Sequence, residues 1–333
     1  MINIISKQIS FRAGRGPKGV LLNAIKSFER LGYPYCINRS LDATSQLWIQ
    51  NDLIALRKAA KMKLKAIVGP NLYVFPRQIP TDINMSNFIY VHPSSWVIGN
   101  WKYFGFNRCP LESWPVGIDT ELFKERQKPE DGIVLVYLKK RSPEELFFLK
   151  KTLEYLKIRY EIITYGSYKM EYYVDKLQNT KYIIWLGCAE SQGLALEEAL
   201  SMNVPVLVWD VLRFGHCDLL SQKGYTKDEL DYPNVTSAYY FDDRCGIKVK
   251  DKECIKKFIA KMEATWYQFN PREYVIESLN LEKQGKELIE LFHKYYGISY
   301  ESGKSELLKS NKKWGRDIGY YLNFIKNKIG IQS

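Results

Sequence analysis

The sequence predicts an α/β protein with two doubly wound domains, because short apolar runs alternate with helical patterns along a chain of suitable length. At about 150 residues per domain, 333 residues correspond to about two domains. The composition, 46% hydrophobic and 26% charged, is ordinary for a globular protein and excludes a disordered or fibrous chain. No apolar run approaches the roughly 18 to 20 residues of a membrane span.

The first half of the chain predicts one α/β unit. An apolar run at 2–6 leads into a glycine-rich stretch, and a helical pattern over about 17–31 ends at Gly32. Further strands are expected at 65–69, 87–91 and 112–116.

The second half predicts a more regular parallel sheet. Its four apolar runs lie at 133–138, 160–166, 181–187 and 204–210. The three helices between them are expected from Ser142, over 170–178 and over 193–202. Apolar strands separated by helices are typical of right-handed βαβ units. The first helix should begin with a capping box, with Ser142 as N-cap and Glu145 three residues later.

A charged segment with Pro and Gly, 124–132, is the expected linker. It divides the chain into a first domain, 1–123, and a second, 133–303. Residues 304–330 are basic, with apolar residues at helical spacing. They are expected either to pack back on the first domain as a helix or to contact an anionic membrane surface.

The net charge of +12 would attract nucleic acid, an anionic membrane or a phosphorylated ligand. Because the positive charge is dispersed and no nucleic-acid-binding module is recognisable, no specific nucleic-acid partner is expected.

The six cysteines form no C-x-x-C pair, and the three histidines are far apart. The sequence therefore predicts reduced thiols and no metal site. The first residues lack the features of a signal peptide. A cytoplasmic protein is expected, with peripheral contact to the inner membrane face as an open possibility.

Two carboxylates flank a predicted helix start. Glu190 follows an apolar strand, and Glu198 lies within the helix that begins near Gly193. Sugar hydroxyls donate to carboxylates, and the free N–H groups of a helix start bind phosphate. The pattern suits a ligand with hydroxyls at both ends and a diphosphate between them. Two ordinary acids on a helix surface are the alternative interpretation.

The run from Glu190 to Val206, E-S-Q-G-L-A-L-E-E-A-L-S-M-N-V-P-V, resembles the E-x7-E signature of retaining nucleotide-sugar glycosyltransferases of the GT-B fold, particularly glycosyltransferase family 4. Residues 114–123, WPVGIDTELF, are similar to the segment that closes the first domain in that family. About forty residues match well and the rest loosely. The resemblance implies two Rossmann-like domains facing across a cleft.

The resemblance also implies roles for individual residues. Glu190 would be the catalytic residue facing the donor sugar, and Glu198 would bind the ribose. The amides of Gly193 and Leu194 would bind the diphosphate. Glu197 should point elsewhere, since adjacent helix positions diverge by about 100°.

The basic cluster of Lys139, Lys140 and Arg141 stands where the family has cations that neutralise the leaving diphosphate. When this sequence is aligned with the family on Ser142 and Pro143, Lys140 takes the place of the family's Arg. Glu145 takes the place of its Lys, so which cations act is left open.

Four more positions follow from the same comparison. Gly14 and Gly16, in a glycine-rich loop before a helix, correspond to a loop that approaches the donor phosphate. On the acceptor side, Asn71 and His92 are candidates for the cleft.

The implied activity is sugar transfer from a nucleotide diphosphate donor to a glycan or lipid-linked acceptor, with retention and without metal or other cofactor. Four alternatives stay open: a basic nucleic-acid-binding protein, a nucleotide- or glycan-binding protein without catalysis, an inverting GT-B enzyme, and a nucleotide-sugar epimerase.

Overall fold

The structure of the protein is a computed structural model that describes residues 1–7, 15–70, 72–125, 127, 129 and 131–298, without the side chains of Arg15 and Leu219. The predictions made for Gly14, Asn71 and the helix at 304–330 lie outside the described residues. No helix of this part of the chain is long and apolar enough to cross a membrane.

The first domain is a six-stranded parallel sheet with the strand order β2-β1-β3-β4-β5-β6. Its strands are β1 (Ile2–Ser6), β2 (Tyr35–Ile37), β3 (Gln46–Gln50), β4 (Ala66–Val68), β5 (Phe88–His92) and β6 (Leu111–Ser113). Its helices are α1 (Arg15–Arg30), α2 (Leu53–Lys61) and α3 (Ser95–Tyr103).

Two strands of this sheet were not predicted. β2 has only three residues. In β3, Gln46 and Gln50 flank three apolar residues, so the run is too short to stand out, although all five residues are buried. β6 also begins before the predicted 112–116 and ends at Ser113.

The second sheet is parallel as well, with the order β11-β10-β9-β7-β8. Its strands are β7 (Ile133–Leu138), β8 (Tyr160–Thr164), β9 (Thr180–Leu186), β10 (Val206–Trp209) and β11 (Gly246–Val249). The helices are α4 (Pro143–Tyr155), α5 (Met170–Gln178), α6 (Leu194–Ser201), α7 (Lys227–Asp231), α8 (Ile255–Thr265), α9 (Pro271–Ser278) and α10 (Leu281–Tyr296). Two parallel α/β sheets therefore confirm the predicted fold class.

The predicted capping box of α4 is present. The Glu145 backbone N–H donates to Ser142 Oγ at 3.3 Å, and the Ser142 N–H donates to the Glu145 carboxylate at 3.3 Å. This cap fixes the start of α4 just after the basic cluster that follows β7.

The last described helix packs on the first domain. Leu288 and Phe292 of α10 join the buried core around Ile4 and Trp48. Gly285 permits this contact, because a Cβ there would lie 2.8 Å from Ser27 of α1. These residues lie in the predicted second domain, 133–303, yet they are buried in the core of the first.

Candidate active site

The carboxyl ends of the two sheets face each other across two adjacent cavities. The smaller cavity, of about 150 Å³, lies at the start of α6, and the larger one has a volume of about 670 Å³. Pro93 and Ser191, from opposite domains, line both cavities together with Lys139 and Glu190. Ligands of open parallel sheets bind at this edge.

Direct hydrogen bonds hold the two domains together beside these cavities. Ser94 Oγ donates to the carbonyl of Ser191 at 2.6 Å, and Trp96 Nε1 donates to the carbonyl of Glu190 at 2.9 Å. The loop that carries Glu190 is therefore fixed by the first domain as well as by its own sheet.

α6 begins at Leu194, and its N-cap, Gly193, has a φ of +107°. A Cβ would meet no atom closer than 3.8 Å, so the backbone conformation rather than space favours glycine here. Gly193 and Leu194 line the smaller cavity. The first N–H groups of a helix have no intrahelical acceptor, and the helix dipole makes this end attractive to an anion.

Glu190 forms an ion pair with Lys139 where the two cavities meet. Lys139 Nζ lies 2.5 Å from Glu190 Oε1, and 4.3 Å from the centre of the Tyr165 ring. Burial alone would lower the pKa of the Lys139 amine, but attraction to Glu190 outweighs it and the pKa is raised. The site therefore holds a charged ammonium beside a carboxylate.

Glu198 lines the same smaller cavity as Glu190. Its side chain is largely buried, at 8% exposure. The structure thus brings the two predicted carboxylates to one cavity, with the start of α6 between them.

Glu197 is turned away from both cavities and is completely buried. It accepts a hydrogen bond of 2.8 Å from Gln192 Nε2, and the Gln192 amide also bonds both backbone groups of Val116 in the first domain. The pKa of Glu197 is raised to about 8, mainly by burial. The nearby charge of Glu198 also raises this pKa, whereas the hydrogen bond from Gln192 lowers it.

The three residues of the basic cluster lie in different environments. Lys139 lines both cavities, and Lys140 is exposed at the larger one. The Arg141 guanidinium is buried, donating to the carbonyls of Gly187 and Trp209 at 3.1 and 2.8 Å.

Arg141 lines neither cavity. The remaining N–H groups of Arg141 bind the Glu145 carboxylate. Burial would raise the pKa of that carboxyl, but Arg141 and His216 hold it at about 2. The residue that aligns with the family's second cation is thus an ionised acid in an internal ion pair.

The glycine-rich start of α1 reaches the smaller cavity from the opposite domain. Gly16 lines the cavity, and a Cβ on Gly19 would lie 3.1 Å from the Leu194 side chain. α1 and the start of α6 therefore approach each other closely at the predicted phosphate position.

His92 ends β5 and lines the larger cavity, at 3% exposure. Its ring stacks on Tyr90, with centroids 4.7 Å apart, and meets Trp101 at 4.2 Å. Burial lowers its pKa to about 3, so the imidazole is neutral.

Sequence reasoning missed the aromatic lining of the smaller cavity, which includes Tyr165, Tyr168 and Trp185. Trp185 lies in the apolar run predicted as a strand at 181–187, and it does pack in the core, stacked on Tyr137 at 4.1 Å. No sequence signal distinguishes an aromatic core residue from one that also borders a cavity.

Within the described ranges, no group of three or more His, Cys, Asp or Glu side chains is arranged to hold a metal ion. The six cysteines, all within those ranges, are free thiols.

No family model matches the chain, and no curated protein matches it. Solved structures do. Sucrose-phosphate synthase from Thermosynechococcus elongatus has a TM-score of 0.58 at 12% identity, over 90% of this chain and 99% of that one. HepE from Anabaena, in complex with UDP, has a TM-score of 0.55 at 8% identity, over 88% and 99%. TarM from S. aureus has a TM-score of 0.52 at 13% identity, over 82% of this chain and 58% of that one. Such low identity shows the fold alone, and the fold is that of GT-B proteins.

Proposed function

We propose that the protein is a glycosyltransferase that moves a sugar from a nucleoside diphosphate sugar to an acceptor. The observation that carries this proposal is the convergence of Glu190 and Glu198 on one cavity with the start of α6 between them. The GT-B fold supports it, and one similar structure, HepE, was solved in complex with UDP-glucose.

The order of groups along the smaller cavity matches the order of groups in such a donor. Glu198 would accept hydrogen bonds from the ribose, and the amides of Gly193 and Leu194 would receive the diphosphate. Glu190 would hold the hydroxyls of the transferred sugar, with Gly16 close to the phosphates on the other side.

Lys139 is the cation best placed to stabilise the leaving diphosphate. It is charged, it borders both cavities, and Glu190 and Tyr165 hold it in place. A preorganised group of this kind in a site that excludes water can contribute about 3 to 4 kcal/mol to transition-state stabilisation. Lys140, exposed at the larger cavity, would add a weaker and screened attraction.

In the proposed reaction, the bond between the sugar C1 and the diphosphate oxygen breaks and a bond from C1 to an acceptor oxygen forms. The acceptor's proton leaves with the diphosphate. The transition state has oxocarbenium character, as in other glycosyl transfers. We propose retention at C1 from the resemblance to family 4. We also propose metal independence, because helix amides and Lys139 supply the charge stabilisation.

For its location we propose a cytoplasmic enzyme that works at the inner membrane face. The basic, partly apolar segment 304–330 supports this, through the attraction of an anionic lipid surface for Lys and Arg.

A thermal-shift screen with UDP, GDP, ADP and CMP tests the donor part of the proposal. A nucleotide that binds only the folded protein raises the free energy of unfolding by about 2.7 kcal/mol at 100 times its Kd. We expect one diphosphate to raise the melting temperature, and nucleotide release from its sugar derivative to follow when acceptors are added. No stabilisation by any of the four would contradict the proposal.

One observation favours a second candidate, a protein that binds nucleotide sugars without transferring them. Glu145, at the position of the family's second cation, is an acid engaged by Arg141. Such a protein would bind a nucleoside diphosphate in the screen but would release none from any sugar donor and acceptor.

A further inference from the structure

Two cysteines from different loops lie side by side on the wall of the larger cavity. Cys188 follows β9 and Cys217 follows β10. Cys188 Sγ donates to the carbonyl of Lys140 at 3.1 Å and lies 3.8 Å from the carbonyl oxygen of His216, the residue before Cys217. The Lys140 carbonyl also accepts from the N–H of Asp218, the residue after Cys217, at 2.8 Å. Cys217 is thus held beside Cys188, and the two thiols are hydrogen-bonded to each other.

The surroundings of Cys217 favour its thiolate, which is the nucleophilic form of cysteine. The hydrogen bond from Cys188 lowers the pKa of Cys217, and the charges of Lys140 and Arg141 lower it further. Burial and the charge of Asp218 act in the opposite direction without reversing this shift. The pKa of Cys188 is raised, by its contact with Cys217 and by burial. The pair therefore combines one sulfur that ionises readily with one that stays protonated.

The two sulfurs differ in their access to solvent. Cys217 is partly exposed, whereas Cys188 has 5% exposure. The cavity that both residues line has a volume of about 670 Å³, within the roughly 300 to 1,000 Å³ of small-molecule sites. Lys140 is exposed at the same cavity and attracts carboxylates. A small acidic molecule that enters the cavity therefore meets Cys217 before Cys188.

We propose that Cys217 and Cys188 form a thiol–disulfide exchange site whose reactant is a low-molecular-weight acidic disulfide such as glutathione disulfide. The Cys217 thiolate attacks one sulfur of the reactant, forms a mixed disulfide and releases one glutathione thiolate, which takes up a proton. Cys188 then loses its proton and attacks the Cys217 sulfur, and the second glutathione leaves as a thiolate that accepts this proton. Two protein thiols become one disulfide, and one glutathione disulfide becomes two thiols.

A disulfide at this place would act on the loop that carries the proposed catalytic residue. Glu190 lies two residues after Cys188, and its N–H donates to the carbonyl of Thr236 at 3.0 Å. Its carbonyl accepts from Trp96, so the backbone of this loop is held on two sides. The disulfide would replace the hydrogen bonds of the Cys188 thiol and tie the loop to that of Cys217. This consequence rests on the proposed function: because misplacing a reacting group by about 1 Å can cost about a hundredfold in rate, oxidation should slow sugar transfer.

The test uses the full chain, equilibrated with mixtures of reduced and oxidised glutathione, quenched with acid and mapped by mass spectrometry. The wild type should contain a crosslink between Cys188 and Cys217 that dithiothreitol reverses. Cys188→Ser should stop at the mixed disulfide of Cys217 with glutathione, because it lacks the second thiol. Cys217→Ser should react at least tenfold more slowly, because it lacks the attacking thiolate.

Cys254 provides the matched control. It is also partly exposed, but it lines neither cavity, and its thiol donates to Asp251 Oδ2 at 3.5 Å. The contact with this carboxylate raises the pKa of Cys254. Cys254→Ser should form the same crosslink as the wild type. In the wild type, iodoacetamide at pH 7 should label Cys217 at least tenfold faster than Cys254, a measurement that needs no folded variant.

Three results would overturn the proposal: no crosslink in the wild type, a crosslink only between other cysteines, or equal labelling of Cys217 and Cys254. For the consequence, the oxidised wild type should release nucleotide at least tenfold more slowly than the reduced protein, whereas Cys217→Ser should keep one rate under both conditions. Equal rates of the two wild-type forms would overturn the effect on transfer. The crosslink needs neither nucleotide nor sugar, so a chain that forms it but transfers no sugar contradicts the proposed function and supports the thiol pair.

Discussion

Lys139 Nζ and Glu190 Oε1 lie 2.5 Å apart where the smaller cavity meets the larger one. Their side chains are 18% and 13% exposed, so both charges are largely removed from water. Each charge makes burial of the other tolerable, because an isolated buried charge is very costly. The pair thus holds a cation and a carboxylate at the point where we propose that the sugar is transferred from donor to acceptor.

A double-mutant cycle should detect this coupling. We expect Lys139→Met and Glu190→Gln each to lower the free energy of unfolding by about 2 to 3 kcal/mol, because each leaves a mostly buried charge unpaired. The double variant should lose less than the sum, with a coupling of about 1 to 3 kcal/mol measured by urea unfolding. The exposed pair Lys151 and Glu154, at 2.9 Å, is the control and should couple by less than about 1 kcal/mol. Additive losses at the site would show that its ion pair is not formed in solution.

Three neighbouring carboxylates should respond differently to amide substitution. Glu190→Gln should lower kcat about a hundredfold, as loss of a group that stabilises the transition state does. Glu198→Gln should mainly weaken donor binding, by about tenfold, because it removes one charged hydrogen-bond acceptor. Glu197→Gln should change neither, since Glu197 lines neither cavity. Nucleotide-release kinetics at several donor concentrations separate these outcomes, and equal effects of the three would contradict the assigned roles.

The conformation of Gly193 should matter for nucleotide binding. Gly193→Ala places a Cβ at a φ of +107°, which costs about 1 to 2 kcal/mol or shifts the backbone at the start of α6. We expect nucleoside diphosphate affinity to fall about tenfold by calorimetry.

Gly105→Ala is the control, because Gly105 also has a positive φ, of +77°, and open space around its Cβ position. It lies outside both cavities, so it should lose similar stability and keep nucleotide affinity. Equal affinities in the two variants would show that the start of α6 does not bind the phosphates.

The sequence predicted the fold of the second domain well because its strands are continuous apolar runs between amphipathic helices. It placed Glu190 and Glu198 near each other because one strand, loop and helix carry both. It missed β3, whose buried ends are Gln46 and Gln50, since tertiary packing rather than a local pattern buries them.

Other features depend on contacts between distant segments. Arg141 looks like its basic neighbours in the sequence, but carbonyls after β9 and at the end of β10 bury its guanidinium. Likewise, Tyr73, His92 and Asn100 line one cavity although they come from a loop, from the end of β5 and from α3. Local patterns do not encode such convergence.

Glu197 should make the stability of the protein fall as the pH rises. Its pKa is about 8 when folded, mainly through burial, and near 4.5 in the unfolded chain, so between these values the unfolded state has lost a proton that the folded state keeps. The glutamine in Glu197→Gln resembles the protonated acid but does not titrate, so the variant does not lose stability in this way. The variant should therefore gain stability over wild type as the pH rises from 5 to 8, by about 4 kcal/mol at most. Urea unfolding at each pH measures the difference, with the exposed Glu154→Gln as control. A difference that stays constant across this range would mean that Glu197 is ionised in the folded protein.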